Sequence, residues 1–185
     1  MKKIIFSVLM MTVAFLANAQ TTVYKPFKVD FATGYAIPGG SGSKGGVLFA
    51  IEPKYSINDQ LTFGLRFEAA VMARATVDQN GELTQGEVKG SASYLATGDY
   101  YFNTNKFRPF AGAGLGIYKT AGASVDQTTE DAQVGSKFGF APRAGFEFGH
   151  FRFALEYNAV GKTGSISNNY LGIKLGFFAG GGLLK

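Results

Sequence analysis

Twelve charged residues recur at alternate positions of short apolar segments: Lys28, Asp30, Glu52, Lys54, Arg66, Glu68, Asp99, Arg143, Glu147, Arg152, Glu156 and Lys174. Six are acids and six are bases. A balanced set of this kind can pass protons or small ions along a path, or neutralise itself as fixed ion pairs. The near-neighbour pairs Arg66/Glu68, Arg143/Glu147, Arg152/Glu156 and Glu52/Lys54 predict a cross-strand network. Each carboxylate then has a basic partner, unlike the poised acid and base of a catalytic pair. Other chemistry is sparse. With 0 Cys there are no disulfides and no thiolate metal sites. The single histidine, His150, sits in a turn, and no nucleophile–base–acid triad can be assembled around it. Gly112-Ala113-Gly114-Leu115-Gly116 lacks the dinucleotide spacing, and the glycines before Lys44 lead into no GK[ST] sequence. Nothing in the chain calls for a cofactor or a bound metal.

These charges must be positioned by strands. Eight segments alternate, over residues 27–37, 47–57, 61–72, 93–102, 109–118, 137–148, 151–159 and 170–178. Successive strand side chains face opposite ways. In the last segment Leu171, Ile173, Leu175 and Phe177 share one face, and Tyr170, Gly172, Lys174, Gly176 and Phe178 the other. The connections alternate too. Residues 38–46, 73–90, 119–136 and 160–167 form long links, whereas 58–60, 103–107 and 149–150 are tight turns rich in Asn, Asp and Gly.

Three features decide which face points outward. The apolar face carries no Asp, Glu, Lys or Arg on any of the eight segments. Its Phe, Leu, Ile, Val and Tyr side chains would overfill the inside of an eight-stranded barrel, whereas the glycine-rich charged face would fit there. Aromatic residues fall at two levels, with Tyr55, Phe63, Tyr100, Phe148 and Phe177 near the turns and Tyr35, Phe49, Tyr94, Phe138 and Tyr157 near the long links. The expectation is an all-β, eight-stranded antiparallel transmembrane up-and-down β-barrel, with apolar side chains to lipid and charges to the lumen. The competing arrangement, a secreted barrel with its apolar face inward, would want a ligand cavity and a final helix. Pro53 and Pro142 fall within segments and predict a bulge or a lost ladder bond at each.

Residues 1–19 read as a cleaved secretory signal. Lys2 and Lys3 precede an apolar stretch over 4–16, and Ala17-Asn18-Ala19 forms the cleavage site. Residues 20–185 then form one domain. The net charge of +5 falls by two with the signal, and the remaining Lys and Arg form no run, so no nucleic-acid partner is expected. A mean hydropathy of +0.06 is what an apolar wall averaged with a polar lumen gives.

The stretches FRPFAGAGLGIY, GFAPRAGFEFG and YLGIKLGFF, together with ANA-Q at the signal, resemble the small eight-stranded outer-membrane barrel proteins of the OmpX, OmpW and OmpA-transmembrane-domain kind. The resemblance implies a bacterial outer-membrane location with both termini in the periplasm. It implies contact with outer-membrane lipid and lipopolysaccharide, and insertion by the barrel-assembly machinery. Members often end on an aromatic residue read by that machinery. Here Phe177 or Phe178 would serve, although AGGGLLK follows. The expected role is non-enzymatic: envelope integrity, or surface interaction through the links 73–90 and 119–136. These links carry Asp78, Asn80, Glu82, Glu87, Asp126, Glu130 and Asp131 in a spacing unlike a calcium loop. The alternatives are a narrow channel for small solutes or ions and, more remotely, a lipid-modifying enzyme.

Overall fold

A computed structural model describes residues 24–39, 43–77, 83–124, 135–163 and 166–182. The signal segment and the acids at 78, 82, 126, 130 and 131 lie outside them. The elements are β1 (Phe27–Pro38), β2 (Ser43–Ser56), β3 (Leu61–Val77), β4 (Leu83–Tyr101), β5 (Phe107–Ser124), β6 (Gly135–Phe148), β7 (Phe151–Asn158), the two-residue strands β8 (Lys162–Thr163) and β9 (Ile166–Ser167), and β10 (Tyr170–Gly180). β1–β7 and β10 close into one barrel in the order β1-β10-β7-β6-β5-β4-β3-β2, and every pairing is antiparallel. β8 and β9 form a separate small ribbon.

The alternation in the sequence becomes an inside-out distribution. Along β7, Phe151, Leu155 and Tyr157 are exposed while Arg152, Ala154, Glu156 and Asn158 are buried. The same holds around the wall: all twelve charged residues of the alternating set are buried, and Phe49, Leu65, Leu115, Phe138 and Leu175 are exposed. A barrel standing in water would have the opposite arrangement, because ionised side chains are seldom buried and large apolar ones usually are.

The ladder tilts. From Phe31 near the turn end of β1, the paired residues run Ile51, Phe67, Tyr94, Ile117 and Phe138, the last near the loop end of β6. Rows of paired side chains therefore climb diagonally across the wall, as strand tilt requires in a closed barrel.

β3, β4 and β5 extend furthest beyond the alternating segments. β3 continues to Val77, β4 begins at Leu83, and β5 continues to Ser124. The hairpin of β3 and β4 pairs out to Val77↔Leu83. Most of the predicted link 73–90 is therefore strand, as are parts of 119–136 and, from Ser43, of 38–46. Pairing needs only backbone hydrogen bonds, while alternation is conspicuous only where one set is large and apolar; beyond residue 72 the odd-numbered set of β3 shrinks to Ala73 and Ala75 before Val77. At the other end β10 runs to Gly180, two residues past Phe178.

The two strand prolines interrupt the ladder without bulging it. The β2–β3 pairing stops at Ile51↔Phe67 and resumes at Lys54↔Gly64 in the same register. The β6–β7 pairing ends at Arg143↔Glu156, beyond which an isolated bridge joins Phe140 and Ala159. Each gap falls where proline offers no N–H.

The interior tolerates little added volume. A Cβ on Gly139 would lie 2.6 Å from the Tyr118 ring and 2.8 Å from the Ala159 carbonyl oxygen. Gly139→Val should lower stability by about 1–3 kcal/mol through overpacking, read as a lower urea midpoint for the refolded protein.

Candidate functional site

The lumen is the site, and its chemistry depends on which strands face each other across it. On the inner face of β1 and β2 the register sets Lys28 beside Lys54 and Asp30 beside Glu52. Like charges directly opposite repel, and relief comes only in part from the diagonal Lys54–Asp30 contact within the hairpin. Much of it comes from β6 and β7 across the lumen. Arg143 forks onto Glu52, with Nη1 and Nη2 donating to its two carboxylate oxygens at 3.0 and 2.8 Å. Lys28 donates to Glu147.

Asp99 of β4 is the hub. It accepts from Lys54 Nζ at 3.0 Å, Arg143 Nε at 2.7 Å and Arg152 Nη2 at 2.8 Å. The link to Arg143 spans β5, where Gly112 pairs with Asp99 on one side and with Arg143 on the other. A Cβ at Gly112 would strike the Asp99 carboxylate and the Gly98 carbonyl, so only glycine permits this approach. Asp30 lies 2.6 Å from Lys54 Nζ and 3.5 Å from Arg152 Nε. Nearer the turn end, Glu147 accepts from Lys28, from Arg152 Nη1 at 2.7 Å, from Arg108 Nη2 at 2.7 Å and from the Tyr101 hydroxyl at 2.6 Å.

A second group lies toward the loop end. Glu156 pairs with Arg66 and with Lys174 at 2.7 Å. Glu68 pairs with Lys174 and accepts from the Tyr170 hydroxyl at 2.6 Å. Arg143, 3.7 Å from Glu156, joins the two groups. Asn158 Oδ1 accepts from Tyr118 at 2.6 Å and from Arg66 Nη2 at 3.2 Å.

The pairing differs from the one expected along the sequence. Arg66/Glu68 and Glu52/Lys54 do approach, at 3.8 and 3.4 Å. Arg143/Glu147 and Arg152/Glu156 do not pair. Four residues along one strand are separated by about 13 Å. The antiparallel register instead places Arg143 opposite Glu156 and Glu147 opposite Arg152, exchanging the partners. The sequence reading missed Arg108 because it began the fifth segment at 109. The even-numbered inner face of β5, shared with Phe110 and Gly112, was the signal that would have included it.

Both ends of the lumen are closed. At the turn end Tyr24 lies across the opening, its hydroxyl 2.8 Å from the Asn105 carbonyl oxygen and its N–H donating to Asp59 Oδ1. Burial pushes the Tyr24 phenol up from its ordinary pKa, with Arg108 acting the other way. The Arg108 guanidinium lies 3.8 Å from the Tyr24 ring centre and 4.2 Å from that of Tyr101. At the loop end the charges give way to an apolar layer that includes Leu48, Met72, Leu95 and Val160. Between the two ends, a cavity bordered by Asp30, Glu52, Arg66, Arg143, Arg152 and Lys174 leaves about 20 Å³, room for about one water molecule.

The two candidate assembly aromatics separate. Phe177 is outward and stacks on Phe31 at 5.4 Å, whereas Phe178 is buried, with the Lys28 ammonium 4.3 Å from its ring centre. His150 follows Gly149 in the β6–β7 turn, with Nδ1 3.0 Å from the Phe178 carbonyl oxygen. Among the described residues no cluster of His, Cys, Asp and Glu is arranged to hold a metal ion.

No family profile matches the chain, and no curated protein sequence does. Solved structures do. Neisserial surface protein A is 19% identical with a TM-score of 0.62, over 85% of this chain and 98% of its own. OprG from Pseudomonas aeruginosa is 13% identical with a TM-score of 0.49, over 84% and 97%. Ail, the attachment invasion locus protein of Yersinia pestis, is 16% identical with a TM-score of 0.47, over 87% and 99%. The chain has the fold of the small eight-stranded outer-membrane barrels.

Asp99→Asn leaves Lys54, Arg143 and Arg152 facing a neutral amide. Uncompensated buried charge of this kind costs about 3–5 kcal/mol, and the urea midpoint of the refolded protein should fall accordingly.

Proposed function

We propose that this chain is an integral outer-membrane protein that is not an enzyme and does not conduct, and that acts in envelope integrity or surface interaction through its outer surface. The observation that carries this reading is the lumen. Its charges are committed to one another, its ends are covered, and its cavity has room for about one water molecule. A channel would need a continuous wet path, and a lipid-modifying enzyme would need reactive groups near the loop end. His150 lies at the turn end instead.

The membrane location rests on the outer wall. An apolar face without charges over the eight alternating segments, met by a cation on β5 only at Lys119 toward the loop end, suits lipid and would be costly in water. In this reading residues 1–19 direct export and are removed, and the turn end with both termini faces the periplasm. The assembly machinery reads the end of β10, where Phe177 or Phe178 supplies the aromatic. The hairpins β3–β4 and β5–β6 stand out from the far side, and the residues at 73–90 and 119–136 are where an extracellular partner would bind.

Two measurements bear on this. Refolded protein in planar bilayers should give no unitary current steps, and regular steps would overturn the sealed-lumen reading. Leu115→Arg places a charge at mid-height on the outer wall. It should cost about 2–4 kcal/mol for folding into lipid vesicles; an unchanged vesicle-folding midpoint would count against the membrane location.

A further inference from the structure

The outer wall is not uniformly rough. One tilted row of paired outward residues reads Leu175, Thr33, Phe49, Ala69, Ala92 and Lys119, on β10, β1, β2, β3, β4 and β5. Thr33, Ala69 and Ala92 are small, whereas the adjacent row is bulky throughout: Phe177, Phe31, Ile51, Phe67 and Tyr94. The difference in side-chain size leaves an apolar groove of about 620 Å³ across these strands. On its floor the Thr33 hydroxyl is donated back to the Leu48 carbonyl at 3.2 Å, so no free polar group stands at that point.

The groove has a charged end. Lys119 is exposed, pairs with Ala92, and places its ammonium 6.0 Å from the centre of the Tyr94 ring, which lines the groove. Height can be read from β5. From Phe107 to Lys119 the strand runs about 40 Å, or roughly 30 Å of height at a typical tilt. The apolar band of such a barrel is about 25 Å tall. With Phe107 at the turn-side boundary, Lys119 stands at the loop-side boundary of the apolar band, and the groove descends from it toward the middle.

An apolar channel that starts at a cation on the outer boundary fits one kind of molecule: an acyl chain attached to an anionic headgroup in the outer leaflet. The geometry points to this groove as a binding site for a phosphorylated outer-leaflet glycolipid of the lipid A type, one acyl chain lying over Ala69 and Ala92 and a phosphate against Lys119. The inference rests on the outer-membrane reading above and adds a ligand and a place to it. The charge at Lys119 favours a phosphomonoester, which carries nearly two negative charges at pH 7, over the singly charged phosphodiester of phosphatidylglycerol. The small residues give the chain closer contact than the flanking aromatic row allows.

The test is native mass spectrometry of the refolded full-length barrel released from detergent micelles containing purified lipid A, with phosphatidylglycerol in a parallel arm. Folding is checked by heat-dependent gel mobility. Wild type should retain one lipid A, and phosphatidylglycerol more weakly. Lys119→Gln removes the cation and Ala69→Phe fills the floor. Both residues point away from the lumen, so both variants should keep the folded mobility, and both should lose lipid A retention at least tenfold. Retention unchanged in either variant overturns the site, as does phosphatidylglycerol held as well as lipid A, or a folded wild type that holds neither. Those results leave the membrane reading intact. Protein that folds and stays monodisperse without detergent or lipid would overturn that reading itself.

Discussion

The structure depends on closure of the wall. A hairpin of β1 and β2 taken alone sets Lys28 against Lys54 and Asp30 against Glu52, with the Lys54 contacts to Asp30 and Glu52 offsetting only part of the repulsion of like charges. Only when β6 and β7 come round to the far side do Arg143, Glu147 and Arg152 meet these groups. The charges therefore favour the complete barrel over its parts. They also fix its register, because a slip of one residue would carry a dozen buried charges to the apolar side and the apolar set into a space that cannot hold it.

Much of the fold was legible because alternation is a local property. The lipid-facing and lumen-facing sets could be read two residues at a time from segments such as Phe151-Arg152-Phe153-Ala154-Leu155-Glu156. The ion-pair partners were not legible in the same way. Whether Arg143 meets Glu147 or Glu156 depends on how β6 and β7 are aligned and on the reach across the lumen, and neither is written within one strand. Strand ends were misjudged where large apolar residues give way to small ones, as in Ala73-Arg74-Ala75-Thr76-Val77. A separate misplaced boundary, the start of the fifth segment at 109, hid Arg108. The closure at the turn end involves Tyr24, whose role depends on residues 35 and 81 positions away.

The interior is divided by chemistry along the axis. Aromatic and cationic groups cover the turn end, ion pairs fill the middle, and aliphatic side chains close the loop end. Water or an ion crossing this sequence would have to part charged pairs and then enter an apolar layer, and each step is costly for a different reason. The division leaves the outer wall and the hairpin ends as the surfaces open to contact.

The backbone on either side of the barrel meets at one rim. Lys25 N–H donates to the Gly182 carbonyl at 2.9 Å and Gly181 N–H to the Phe27 carbonyl at 2.8 Å, with Gly180, Gly181 and Gly182 all at positive φ to bring the strand end across. The β1–β10 pairing is as continuous as its neighbours, running from Lys28↔Gly180 to Pro38↔Tyr170. The wall therefore has no mechanical seam where the chain happens to be open. Its architecture is that of a closed loop of hairpins, and a circular permutant opened at another link would need only a short bridge across this rim to rebuild the same cylinder.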